Sequence, residues 1–206
     1  MSKEYKYSEL DEKVKWRLLE SYEVPDDVFQ YLMDEKNKEL EKIGITVKEW
    51  SYSISHSQGD GASFTTEWFN PFKYMSEFKV WKDYPTLSKL YRKYGEKLEN
   101  EVEIAGRIKR DTTHYSHYNT VSLESEVQPS FYRESVYQND LNLSLATVKK
   151  FNSEAQDILD SIEDHLKDVM KETHREMEET YESSFSDECV DEYFSETRFD
   201  RYGNIV

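Results

Sequence analysis

The sequence predicts an α+β protein, with an antiparallel sheet of about four strands and helices packed on one face of that sheet. Two pairs of segments with alternating apolar and polar residues predict two β-hairpins, and a long apolar stripe of helical period predicts a C-terminal helix. We expect residues 1–144 to form an α+β core domain. Residues 145–206 then supply the long amphipathic helix and an acidic C-terminal segment that packs on the core or extends from it.

Two helices are predicted ahead of the first hairpin. Ser8 suits an N-cap, and the apolar residues after it recur at helical spacing, which predicts a helix over residues 9–22. Pro25 suits a first helical position, and the next apolar stripe stops at Gly44, a residue type that often ends helices. These signals predict a second helix over residues 25–43.

Residues 45–68 and 102–123 each have the alternating pattern of a β-hairpin. The parity of the apolar positions changes near Lys48, which predicts a β-bulge in the first strand. The first hairpin is predicted to turn through residues 58–61, which contain two glycines, and the second through residues 111–113. The order of the four strands in the sheet cannot be derived from these patterns.

The segment between the hairpins reads as two further helices. Asn70-Pro71 is predicted to open one of them, and Thr86 is predicted to cap the other. Residues 128–143 show no clear period, which predicts a loop after the second hairpin.

The clearest predicted element is a helix of about 35 residues, whose apolar positions step by three or four from Val148 to Tyr181. A stripe of this length indicates that part of it packs against a second copy of the chain, so a homodimer through this helix is one prediction. Ser186 is predicted to cap a short acidic turn, and residues 199–205 are predicted to form a small β-turn unit.

The negative charge of the chain is concentrated near its C-terminus. The 206 residues have a formal net charge of −16; residues 1–150 carry 26 acids and 22 bases, and residues 151–206 carry 17 acids and 5 bases. Such an acidic end repels a phosphate backbone, so we expect no direct binding to nucleic acid. Residues 89–110 hold seven bases against four acids, and a small anion could be accommodated near them.

Composition also bounds the location and the cofactors. No apolar run exceeds three residues, which predicts that the chain has neither a membrane span nor a secretory signal. Cys189 is the only cysteine, which excludes an internal disulfide and a cysteine-based zinc site. We therefore expect a cytoplasmic protein that uses no metal and no cofactor and does not bind membranes.

The tip of the first hairpin is the first candidate ligand-binding segment. Two glycines around an acid let backbone N–H groups converge without obstruction by Cβ atoms, and such a nest can hold a phosphate or carboxylate. The same residues also suit an ordinary turn, and the sequence leaves both interpretations open. The candidate residues are Ser57, Gln58, Gly59, Asp60, Gly61 and Ser63.

The turn of the second hairpin is the other candidate segment. Its bases, histidines and tyrosines could together stack an aromatic base and neutralise a phosphate, although polar hairpin ends are also common on ordinary surfaces. On a strand, two histidines three positions apart lie on opposite faces, so joint metal ligation is not expected. The candidate residues are Arg107, Arg110, His114, Tyr115 and His117.

Signatures of catalysis are scarce. The sequence contains no Gly-x-Ser-x-Gly motif, no His-Glu-x-x-His motif and no calcium-loop spacing, and Cys189 is surrounded by acids that disfavour a thiolate. The sequence therefore favours a binding protein over an enzyme and predicts no catalytic residue.

Four segments together carry a resemblance to a known family. They are residues 8–15, 57–64, 114–124 and 186–203, and the most specific of them is Ser-Gln-Gly-Asp-Gly-Ala-Ser-Phe at 57–64. The chain resembles a bacteriophage-encoded family that is commonly labelled as the antitoxin of a toxin–antitoxin stability system. The resemblance implies a phage origin and an accessory role in the cytosol of the infected host.

Three functions follow as hypotheses from these observations. The first is a phage accessory protein that counters host defence by sequestering a small nucleotide-like signal between the two candidate segments, without catalysis. The second is an acidic inhibitor or antitoxin that binds a basic host protein by imitating the charge of nucleic acid. The third is a hydrolase of a nucleotide signal that uses Asp60 or His117.

Overall fold

The structure is a computed structural model of the 206-residue chain. It describes residues 4–20, 22, 24–25, 27–54, 59–95, 102–112, 114–129 and 143–206. Most of the loop predicted over residues 128–143 therefore lies outside the described residues.

The described residues form six α-helices, four strands and three short 3-10 helices. The strands are β1 (Val47–Ser53), β2 (Gly61–Thr66), β3 (Val102–Arg110) and β4 (Val121–Pro129). The α-helices are α1 (Glu12–Leu19), α2 (Asp27–Lys42), α3 (Phe72–Glu77), α4 (Pro85–Tyr94), α5 (Leu145–Ser184) and α6 (Asp187–Tyr193). The 3-10 helices are Tyr7–Glu9, Val80–Asp83 and Tyr118–Thr120.

The α+β class and the two antiparallel hairpins are confirmed. β1 pairs with β2 and β3 pairs with β4, so the four strands form two sheets of two strands each. The register of the first hairpin shifts between Val47 and Glu49, which confirms the bulge predicted near Lys48. The sheets meet through an isolated antiparallel bridge between Phe69 and Gly106.

Two predicted helix caps are wrong. Ser8 lies inside the 3-10 helix Tyr7–Glu9, and α1 begins after Asp11, whose side chain accepts a hydrogen bond from the Lys13 N–H at 3.0 Å. Thr86 lies inside α4, because Pro85 takes the first helical position, where its missing N–H costs nothing. The Glu154 carboxylate of α5 accepts the N–H groups of Thr86 and Leu87, at 2.7 and 2.9 Å for the closer oxygen.

The helix predicted after Pro71 is shorter than its apolar pattern indicates. α3 ends at Glu77, and Lys79 adopts a left-handed conformation with φ of 56° that turns the chain into the next 3-10 helix. A non-glycine residue in this conformation is uncommon. The spacing of the apolar residues does not indicate that the helix ends here.

The chain divides into two compact units: Met1–Leu32 with Arg175–Val206, and Met33–His174. The larger unit has a core to which both hairpins, α2 to α4 and α5 contribute. Its largest fully buried side chains are Phe64, Phe151, Leu40, Ile45, Met75, Leu87, Ile108, Ile158 and Leu159. The apolar stripe of α5 is buried within this chain, including Ala155, Ile162 and Leu166, each 0% exposed.

The smaller unit has its own core around Tyr7, Leu10, Val190 and Phe199. Ser186 caps α6 by accepting a hydrogen bond from the Cys189 N–H, as predicted. The predicted terminal turn unit is also present, because Phe199 bridges to Ile205. None of the helices in the described ranges has an apolar stretch sufficient to cross a bilayer.

Candidate ligand-binding site

The two hairpins are held side by side by backbone hydrogen bonds. Phe69 and Gly106 exchange N–H···O=C bonds of 2.8 and 2.9 Å, and the Ile108 N–H donates to the Thr66 hydroxyl at 2.9 Å. β2 therefore runs beside β3. This arrangement brings the tip of the first hairpin next to the connection that joins β3 to β4.

Glycines let the tip touch that connection directly. A Cβ atom on Gly61 would lie 2.6 Å from the His117 Cα, and one on Gly59 would lie 2.2 Å from the Tyr115 Cδ1. Real Cβ atoms do not approach other atoms so closely, and Gly59 also has a φ of 112°, which side chains disfavour. The glycines thus allow the two predicted segments to pack against each other.

A cavity of about 280 Å³ opens at this junction. The described residues that line it are Gly59, Tyr115, His117 and Thr120, and we call it the tip cavity. The Tyr115 side chain is 54% exposed, so its ring is accessible to a ligand. The Thr120 hydroxyl donates to the His117 carbonyl oxygen at 2.6 Å and to the Tyr115 carbonyl oxygen at 3.2 Å, which fixes the connection.

His117 is held as a neutral imidazole. Its Nδ1 accepts a hydrogen bond from the Asn119 N–H at 3.1 Å, which assigns the ring proton to Nε2. Burial lowers the pKa of His117, and the nearby His174 lowers it further. At neutral pH the ring therefore offers one N–H donor and carries no charge.

Serine hydroxyls lie on the face of the first hairpin that meets this connection. The hydroxyls of Ser51 and Ser116 are 2.9 Å apart, and Ser63 pairs with Ser51 across the sheet. Ser63 is 0% exposed, and its Oγ makes no hydrogen bond within the described part of the chain. The Asp60 carboxylate accepts a hydrogen bond from the Ser53 hydroxyl at 2.8 Å.

The two candidate arginines lie on opposite faces of β3. Arg110 shares a face with the buried Ile108, and its Nη2 is buried without a hydrogen bond to any described residue. It pairs with Val121, the residue after Thr120, so it lies where β3 enters the connection. Arg107 instead donates from Nε and Nη2 to the Glu124 Oε2 at 3.0 and 2.9 Å.

The structure thus brings together part of the predicted set. Gly59, Tyr115 and His117 line the tip cavity, with Gly61 packed directly against the connection. Arg107 is engaged by Glu124 and by the Trp68 ring, whose centroid is 4.6 Å from the guanidinium carbon. His114 is exposed and is not among the described lining residues of the cavity. Ser57 and Gln58 lie outside the described residues.

The sequence reasoning missed three residues of this region, which are Ser116, Thr120 and His174. It placed Tyr115 and His117 on a strand, whereas they precede the 3-10 helix Tyr118–Thr120 in an irregular connection. His117 caps that short helix, and the sequence gives no signal of this role because histidine is not among the preferred N-cap residues. Across the described ranges, no three His, Cys, Asp or Glu side chains are grouped closely enough to hold a metal ion.

Comparison with known families identifies one match. Residues 29–187 match the family described as Domain of unknown function (DUF8835), and the chain therefore belongs to that family. Comparison with curated proteins and with solved structures finds no match.

Proposed function

We propose that this protein binds and sequesters a small anionic, nucleotide-like ligand at the tip cavity without changing it chemically. The observation that carries the proposal is the direct contact between the glycine tip and the β3–β4 connection, with an accessible aromatic ring at its edge. Tyr115 offers a stacking surface for a base, a contribution of about 1–3 kcal/mol in comparable sites.

Polar groups around the cavity suit a single phosphate better than a multiply charged group. His117 supplies a neutral N–H donor, and Arg110 supplies one cation at the start of the connection. The buried Nη2 of Arg110 and the buried Oγ of Ser63 have no hydrogen-bond partner in the described part of the chain. Satisfying such buried groups is worth about 1–3 kcal/mol each, so an anion that reached them would gain affinity.

The contacts of the two candidate catalytic groups support sequestration over hydrolysis. The Asp60 carboxylate accepts from the Ser53 hydroxyl, and the His117 Nδ1 accepts from a backbone N–H. The Nδ1 of His117 is thereby occupied and is not available as a general base, and neither Ser53 nor Asp60 is among the described lining residues of the tip cavity. With the resemblance to phage-encoded proteins, we further propose that the ligand is a signal of host defence in the cytoplasm of an infected cell.

Titration calorimetry tests the proposal with AMP, GMP and their 3′,5′-cyclic forms as probes. We expect micromolar affinity for at least one of them, and Tyr115→Ala should weaken it by about tenfold because the stacking surface is lost. Tyr31→Ala is the matched control, since Tyr31 is 72% exposed and lies on α2. Absence of binding to all four probes at micromolar concentrations would contradict the proposal.

A second pair of variants tests the charge contribution. Arg110→Gln should weaken binding by about tenfold, whereas Lys109→Gln removes the same charge from the opposite face of β3 and should leave affinity unchanged. Chromatography of the ligand after overnight incubation should return it intact. Recovery of a hydrolysis product would favour the hydrolase instead.

The acidic end of the chain supports a second candidate function, the binding of a basic protein. Glu188, Glu192 and Glu196 are exposed and make no ion pair with a described residue. Charge complementarity of this kind mainly accelerates association and is weakened by salt. The three glutamates can be replaced together by Gln. If the variant then associates with a basic partner protein as fast as the wild-type protein does, this candidate function is contradicted.

A further inference from the structure

A second cavity in the larger unit, of about 510 Å³, lies beside the 3-10 helix Val80–Asp83 and α4. It shares no described lining residue with the tip cavity. We call it the basic groove, and the described residues that line it are Trp81, Lys82, Pro85, Ser88, Lys89, Arg92 and Lys93. Four of these seven are cations, in a chain whose formal net charge is −16.

Within the described part of the chain, no carboxylate neutralises the cations of the basic groove. No carboxylate is among the described lining residues, and none of the four cations makes an ion pair with a described residue. Lys89, Arg92 and Lys93 are three and four positions apart on α4 and so share one helix face, where like charges repel one another. An anion in the groove would relieve this repulsion.

Trp81 gives the basic groove a fixed aromatic wall. The centroid of its ring lies 4.6 Å from the centroid of the Tyr91 ring and 6.2 Å from that of the Phe72 ring. The Trp81 and Phe72 rings are nearly parallel, with an interplanar angle of 8°. These contacts hold the indole in one orientation while part of it stays accessible to the groove. A rigid, partly exposed indole is a surface on which a nucleobase can stack.

The charge of the groove comes from side chains and not from the end of α4. The first free N–H groups of α4, on Thr86 and Leu87, already donate to the Glu154 carboxylate. Ser88, which is 7% exposed, adds a hydroxyl to the wall of the groove. The arrangement therefore combines a stacking surface, one hydroxyl and several cations.

We propose that the basic groove binds a nucleoside polyphosphate, with the base on Trp81 and the phosphates among Lys82, Lys89, Arg92 and Lys93. The volume of the groove is within the range of small-molecule sites. A long nucleic acid is disfavoured, because it would extend beyond the groove into the field of a strongly acidic chain. The site is distinct from the tip cavity and does not depend on the function proposed there.

Calorimetry on the full chain tests this site with ATP, AMP and inorganic tripolyphosphate as probes. We expect ATP to bind at least about tenfold more tightly than AMP, which has fewer charges, and than tripolyphosphate, which has no ring. Lys89→Gln with Arg92→Gln should weaken ATP binding by about tenfold or more. Lys149→Gln with Lys150→Gln, which removes two exposed cations from α5, should leave it unchanged.

Trp81→Phe gives an independent readout, with circular dichroism used to confirm that the variant folds. The change in tryptophan fluorescence on adding ATP should disappear in this variant, although three other tryptophans remain. The proposal is overturned if ATP does not bind at about 1 mM, or if Lys89→Gln with Arg92→Gln leaves its affinity unchanged. It is also overturned if a single-stranded DNA 20-mer binds the groove as tightly as ATP.

The two sites can fail separately. Arg110→Gln should not alter ATP binding at the basic groove, and the Lys89 and Arg92 substitutions should not alter mononucleotide binding at the tip cavity. ATP binding that is lost only in Arg110→Gln would assign ATP to the tip cavity and overturn the proposal for the groove.

Discussion

The tip cavity and the basic groove lie in the same compact unit but differ in how positive charge is supplied. At the tip cavity, the one proposed cation is Arg110, which lies on the core side of β3 where that strand enters the connection, and His117 lines the cavity as a neutral donor. At the basic groove, four cations project from a short helix and the turn before it. The first arrangement depends on accurate backbone contact between two hairpins, and the second depends on exposed charge.

This difference determines what can disrupt each site. The hydrogen-bond donors at the tip cavity are correctly placed only while the contacts of Gly59 and Gly61 hold the hairpin tip against the β3–β4 connection. Exposed cations tolerate small backbone movements, but salt screens them over a Debye length of about 8–10 Å. The two sites should therefore respond to different perturbations. Two experiments can separate them, and a third tests the role of His117 at the tip cavity.

The largest effect is expected from Gly61→Ala. The new Cβ would lie 2.6 Å from the His117 Cα, a backbone atom that no rotamer change can move. We expect the free energy of unfolding to fall by about 2 kcal/mol in urea denaturation, and mononucleotide binding to be lost, while ATP binding at the basic groove persists.

Gly95→Ala is a control that separates steric clash from backbone strain. Gly95 has a φ of 52°, but no atom of a described residue lies within 4 Å of a Cβ built there. With a ψ of −130°, Gly95 lies outside the left-handed helical region, so the backbone conformation alone should cost about 1–3 kcal/mol, with mononucleotide binding intact. If Gly61→Ala is as stable as the wild-type protein, the close contact between Gly61 and His117 is contradicted.

Salt should have the next largest effect and should act unequally on the two sites. Raising NaCl from 50 to 300 mM should weaken ATP binding at the basic groove by about tenfold, because several exposed cations are screened together. Mononucleotide binding at the tip cavity should weaken by about threefold or less, because it uses one cation and neutral donors. Calorimetry at both salt concentrations measures the two affinities. An equal loss of affinity for ATP and for the mononucleotide would contradict the proposed difference between the two sites.

The smallest effect concerns pH and His117. Its pKa is lowered in the folded protein, so the neutral form is favoured and its contribution to stability is present above the unfolded value of 6.5. That contribution is lost as pH falls through the folded pKa, because protonation removes the Nδ1 acceptor of the Asn119 N–H.

His117→Asn keeps a side-chain acceptor at this cap but does not titrate. Denaturant unfolding between pH 7.5 and 5.5 should therefore show a shallower loss of stability for the variant than for the wild-type protein. The pKa of His165 is also lowered by burial. Because His165 is present in both the wild-type protein and the variant, it does not affect the difference between their pH profiles. Identical pH profiles would contradict the role of His117.

Local patterns predicted much of the fold. The bulge near Lys48, the two hairpins, the Ser186 cap and the long C-terminal helix follow from periodicity and capping signals. The Phe69–Gly106 bridge could not be predicted in this way, because it joins residues far apart in the chain. The contact of Glu154 with the Thr86 N–H could not be predicted for the same reason, whereas the error in the Thr86 cap is local, because Pro85 already marks the first position of α4.

The candidate site was predicted in part. The two glycines were recognised as unusual, but their role in close approach to Tyr115 and His117 required coordinates. The placement of Arg107 and Arg110 on opposite faces of β3 follows from the sequence alone, because residues three apart on a strand point to opposite sides. The basic groove was predicted in part: residues 89–110 were recognised as a basic stretch that could accommodate an anion, but the contributions of Trp81 and Lys82 required coordinates because they come from a different element.

Native mass spectrometry of the protein purified from lysate of phage-infected bacteria tests the central claim most directly. The account predicts a wild-type species with a bound mass of nucleotide size above the 24.7 kDa chain. To exclude nucleotide held at the basic groove, both double variants are made in the Lys89→Gln with Arg92→Gln background. The bound mass should be absent from Tyr115→Ala with Arg110→Gln and retained in Tyr31→Ala with Lys109→Gln. A bound mass that both double variants retain equally, or a wild-type chain that never carries one, would contradict sequestration at the tip cavity.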